Sequence, residues 1–106
     1  MKKIAFSALL FSLSFISAAF GGRCDLAGSY GAQRIEGPGK VTGATWITCS
    51  GYDCIAHSDG GDAPLRAVDG HDDVYQAEGW NMTVTVSPDC RRVDFQRTGV
   101  HDRWTR

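Results

Sequence analysis

From Cys24 to Arg106 no stretch of helix length repeats apolar residues at three- and four-residue spacing. What recurs instead is short β-prone runs cut apart by glycine, proline and aspartate. The clearest is Asn81 to Ser87, where Met82, Val84 and Val86 alternate with Asn81, Thr83, Thr85 and Ser87. A period of two puts one set of side chains on a core and the other in water. Ser87-Pro88-Asp89-Cys90 then supplies a turn, because proline presets its backbone angle and aspartate bonds its own backbone. Val93 and Phe95 face inward on the next run, Thr98-Gly99 turns the chain, and a last run carries Trp104.

Upstream, Gly37-Pro38-Gly39-Lys40 has the proline and glycine of a type II turn and makes a hairpin of the runs on either side. Asp59-Gly60-Gly61-Asp62 and Asp69-Gly70-His71-Asp72 bracket a short run from Pro64 to Val68. Gly79-Trp80 reads either as a two-residue turn or as a bulge within one bent strand. Counted as a turn, it gives strands near 28–36, 40–48, 54–58, 64–68, 73–78, 81–86, 92–97 and 101–105. Consecutive short connections make a meander, and a meander of this length removes its edges by closing on itself. The predicted fold class is all-β: a small antiparallel meander of about eight short strands, closed or nearly closed into a barrel and stapled by two disulfides.

The staples follow from size and compartment. Lys2 and Lys3, the apolar run from Ile4 to Phe20 and the small residues after it have the three-part layout of a secretory signal. Residues 1–21 are therefore expected to be removed, leaving 22–106 as a single exported β domain, secreted or periplasmic, with no membrane insertion after cleavage. A domain this small has a thin core. Cys24, Cys49, Cys54 and Cys90 all follow the leader, and an even number of cysteines in an exported chain points to disulfides. Cys49 and Cys54 enclose only SGYD, which suits a bridged hairpin end and leaves Cys24 to pair with Cys90. Tyr30, Ile47, Val84, Val86, Val93, Phe95 and Trp104 are the expected core, and Thr83, Thr85, Arg92 and Asp94 the expected surface.

Without Lys2 and Lys3, nine basic side chains face twelve acidic ones, a net charge of −3. A chain of that balance has no general attraction to nucleic acid or anionic lipid, and no nucleic-acid partner is expected. His57, His71 and His101 fall in no recognised ligand spacing, and the Asp-Gly loops lack the regular acidic spacing of a calcium loop, so no metal and no cofactor are expected. Asn81-Met82-Thr83 is a glycosylation sequon, which matters only in a eukaryotic secretory pathway.

The segment Cys24-Asp25-Leu26-Ala27-Gly28-Ser29-Tyr30 resembles the opening strand of calycin barrels, the lipocalin and avidin group, with tyrosine in place of the tryptophan of their Gly-x-Trp triplet. The resemblance implies that a basic residue near Trp104, either Arg103 or Arg106, covers the ring of Tyr30.

No nucleophile with a base beside it, carboxylate pair or phosphate loop appears with useful spacing. A small stapled β scaffold more often presents rigid loops than performs chemistry, so the leading function is a binding module for a small ligand, a glycan or an extracellular protein partner. The alternative is a small secreted hydrolase or nuclease using His57 or His71. In an eight-stranded meander successive turns alternate ends, which gathers the four cysteines at one end and Asp59, Gly60, Gly61, Asp62, Trp80 and Thr98 at the other. That unclamped rim is the expected binding surface, with Trp80 as its anchor.

Overall fold

The computed structural model describes residues 24–106, and the leader assigned to residues 1–21 lies outside them. Eight strands follow in chain order: β1 (Gly28–Glu36), β2 (Thr45–Ser50), β3 (Asp53–Ser58), β4 (Gly61–Ala67), β5 (Val74–Ala77), β6 (Met82–Val86), β7 (Arg92–Arg97) and β8 (Val100–Thr105). Each pairs antiparallel with the next, and β8 returns to pair with β1. The result is a closed barrel with no free edge, the solution open to a short meander that must not expose its backbone.

The two-residue alternation fills the interior. Tyr30, Ile47, Val84, Val86, Val93, Phe95 and Trp104 are all buried, as the period of their strands predicts. Leu26, Leu65, Tyr75 and Met82 complete the apolar core with three alanines, Ala56, Ala63 and Ala77. Ala56 and Ala63 face each other across β3 and β4. In a barrel of this strand number those two strands stand opposite β7 and β8, which carry Phe95 and Trp104. Small side chains on one wall therefore make room for two rings from the other, packed at 4.5 Å between centroids.

One end is closed. Disulfides Cys24–Cys90 and Cys49–Cys54 both lie there, and the second links residues directly opposite each other on β2 and β3. Two covalent staples fit an oxidising compartment. Arg106 seals the same end: its guanidinium donates to the carbonyls of Cys90, Ala27 and Asp25 and lies 5.1 Å from the centre of the Tyr30 ring. Tyr30 in turn donates its hydroxyl to the Leu26 carbonyl at 2.6 Å. Of the two arginines that flank Trp104, Arg106 thus makes the contact on Tyr30, while Arg103 points to the outer wall and bonds Asp94.

Several local expectations are corrected. Residues 40–44 are not strand, so the β1–β2 connection is a long loop and β2 starts at Thr45. Gly61 and Asp62 belong to β4, because the β3–β4 turn needs only Asp59 and Gly60. Gly79-Trp80 lies within a four-residue turn, 78–81, closed by the Ala77–Met82 pair, so no bulge shifts the later loops to the other end. Asn81 sits in that turn at φ 56° rather than on a strand face. Thr83 and Arg92 are exposed as expected, but Thr85 is half-buried and Asp94 is largely covered. The cover over Asp94 is its own partners: Arg92, His101 and Arg103 all converge on its carboxylate.

Candidate functional site at the open end of the barrel

With eight strands in sequence order, the connections 37–44, 59–60, 78–81 and 98–99 share the end away from the cysteines. A cavity of about 420 Å³ opens there. Met82, Phe95 and Trp104, all buried in the apolar core, line its floor. Continuing the same two-residue count toward the mouth changes the chemistry. On β1 the inward series runs Tyr30, Ala32, Arg34; on β7 it runs Val93, Phe95, Arg97; on β8 it runs Trp104, Asp102. Arg34, Arg97 and Asp102 thus set a charged ring around the mouth above an aromatic floor, while β8 itself ends inward on Val100, which packs against the core.

Part of that ring is fixed. Arg34 donates to both carboxylate oxygens of Asp102 and to the carbonyl of Pro38, which ties the long β1–β2 loop to the barrel wall. The two side chains are only 21% and 13% exposed, so each charge keeps its partner in a site that water reaches poorly. The rest of the ring is free. Lys40 and Arg97 line the cavity and form no ion pair among the described residues. Asp59 is exposed at the rim, and its carboxylate occupies the space that a side chain at position 43 would need. Gly43, at φ 80°, lets the two loops touch.

Trp80 forms one side of the mouth. Gly79 and Asn81 flank it with left-handed backbone, and the indole lies back over the barrel, 5.9 Å from Phe95 and 6.4 Å from Trp104. It is half-buried: it caps the core with part of its ring and faces the cavity with the rest.

The residues picked from sequence divide accordingly. Trp80, Asp59 and Gly60 line the cavity, whereas Gly61, Asp62 and Thr98 do not. Thr98 is exposed in the β7–β8 turn, and Asp62 turns outward from β4. Sequence reasoning did not place Arg34, Lys40, Arg97 or Asp102 at this rim. Three of these were within reach, since each stands at an even step from Tyr30, Phe95 or Trp104. Lys40 was hidden by reading its segment as strand.

A second cluster lies on the outer wall. His57 Nε2 is 2.8 Å from Thr48 Oγ1, and His57 Nδ1 is 2.8 Å from Asp62 Oδ1. Trp46 stacks on the imidazole at 4.9 Å. The hydroxyl, imidazole and carboxylate are in the relay order of a nucleophilic triad, but all three lie outside the cavity. His101 bonds Asp94 at 2.9 Å, and His71 is exposed in the β4–β5 connection. Neither meets a nucleophile.

No family model, curated protein or solved structure matches the chain.

Proposed function

We propose that the chain is an exported binding module of calycin-like build, secreted or periplasmic, that takes a small molecule into the open end of its barrel. The observation behind this reading is the cavity itself: a concavity of about 420 Å³ with three aromatic rings and a few fixed polar groups has the size and lining of a small-ligand site. A glycan or a protein partner fits less well, because the aromatic surface is recessed rather than spread over the rim. The calycin resemblance is supported by Arg106 on Tyr30, which closes the opposite end and leaves a single mouth.

The test compares two aromatic truncations. At matched stability, binding of compounds retained from the native medium is expected to be lost in Trp80→Ala and kept in Tyr52→Ala, whose ring is 65% exposed at the stapled end. Loss with Tyr52 alone moves the site to the stapled end and refutes the reading.

The Thr48–His57–Asp62 relay favours the hydrolase as a second reading, since a general base beside a hydroxyl is the minimum that acyl transfer requires. It predicts turnover of p-nitrophenyl acetate that disappears in both His57→Ala and Thr48→Val. Turnover that survives either change removes it.

A further inference from the structure

The charges at the mouth are unequal in a way that specifies the ligand. Arg34, Lys40 and Arg97 line the cavity against Asp59 and Asp102, an excess of one positive charge. The Arg34–Asp102 pair is internally neutral and tied to the loop carbonyl of Pro38, so it shapes the wall without leaving an unmet charge. Asp59 is packed onto Gly43 at the exposed rim. That leaves Lys40 and Arg97, both without an ionic partner among the described residues and both lining the same cavity. Arg97 extends the inward face of Phe95 by two residues toward the mouth and lines the same cavity as Phe95, Trp80 and Trp104.

On the reading of the mouth as a ligand site, we propose that the ligand is a small aromatic acid, its ring against Trp80, Phe95 and Trp104 and its carboxylate between Arg97 and Lys40. The geometry supplies each half. A planar ring gains from offset and edge contacts with three aromatic faces. A carboxylate meets a planar guanidinium and an ammonium that are unspent in the free protein, so its own desolvation is compensated by charge-assisted hydrogen bonds. A cationic ligand meets the same two side chains as repulsion, with only Asp59 to offset them.

The experiment uses three probes of the same shape and different charge: 2-naphthoate, 2-naphthamide and 2-naphthylmethylammonium, titrated calorimetrically into the full domain. Chemical-shift changes at the Trp80 and Trp104 indole N–H groups locate the bound probe. Naphthoate is expected to bind about tenfold tighter than the amide, the worth of one charge-assisted contact at a partly screened rim, and the ammonium weakest. Arg97→Gln and Lys40→Gln should each weaken naphthoate severalfold and leave the amide unchanged. Both residues stand free at the mouth, so neither change removes a folding contact, and circular dichroism checks this. If the amide or the ammonium binds as tightly as naphthoate, or if neither glutamine variant affects naphthoate, the anion proposal is overturned while the mouth remains a ligand site. If no probe binds or shifts the indoles, the ligand-site reading falls with it.

Discussion

The two disulfides close very different lengths of chain, and that difference sets what each contributes. Cys24 and Cys90 are 66 residues apart in sequence, Cys49 and Cys54 only five. Constraining the unfolded chain removes loop entropy that grows with the logarithm of the loop, which gives about 4 kcal/mol for the long bridge and about 2 kcal/mol for the short one. Against the roughly 5–15 kcal/mol that holds a domain folded, the long bridge is a large fraction of the whole. In the folded state neither loss should collapse the barrel. The ladder from Trp46–His57 to Ser50–Asp53 still pairs β2 with β3, and Arg106 still holds the 24–27 segment through the carbonyls of Asp25 and Ala27. Paired serine substitutions therefore act mainly on the unfolded ensemble and can be compared directly. With a urea slope of about 1 kcal/mol per molar, Cys49→Ser with Cys54→Ser should lower the midpoint by about 2 M, and Cys24→Ser with Cys90→Ser by about 4 M. Equal losses, or a larger loss from the short bridge, would refute the loop-entropy reasoning.

Three further outcomes are expected. Phe95→Ala removes a ring packed against Trp104 and Trp80 and should cost about 3–5 kcal/mol in denaturant unfolding; a variant melting within a few degrees of the parent would show that the inward face of β7 is misassigned. Burial pushes the Asp94 carboxyl up, but hydrogen bonds from Arg103 and His101 and their charges outweigh it and hold it below its ordinary range. A carboxyl that binds its proton less readily when folded contributes stability above its unfolded pKa and loses it as pH falls below about 4, so Asp94→Asn should flatten the acid limb of a melting curve. Burial raises Tyr30 and Tyr75 above 10.0, with Arg106 opposing the rise at Tyr30. The stability tied to those protonated hydroxyls is complete below pH 10 and lost as pH rises through their folded values, and Tyr30→Phe should remove one late step from the absorbance titration at high pH.

Most of the barrel was legible because it is written in period two. Met82, Val84 and Val86 could only be one face of a strand, and Val93, Phe95 and Trp104 extended the same rule. Where the sequence misled, local preference met a longer-range demand. Residues 40–44 carry valine and threonine suited to a strand, yet they span the rim from the Arg34–Pro38 contact to Gly43 under Asp59, and the ladder with β1 starts only at Thr45. Asp62 looked like loop because Gly60-Gly61 precedes it, but the pairing of Gly61 with Ser58 closes the turn one residue earlier. Its carboxylate then faces outward to His57. The outer relay could not be seen at all, since Thr48 and His57 are not even direct ladder partners: Trp46 faces His57, and Thr48 faces Ile55.

The seal at the stapled end also orients the molecule. Cys24 is covalently held there, and Arg106 is pinned to the carbonyls of Cys90, Ala27 and Asp25 a few ångströms away. Polypeptide joined after Arg106 departs from the pole opposite the mouth. A tether to a surface, a fused reporter or a resin-bound tag joined after Arg106 would thus hold the barrel upright with its opening toward solvent. Attachment to the side chain of Lys40 would do the reverse and turn the opening against the support.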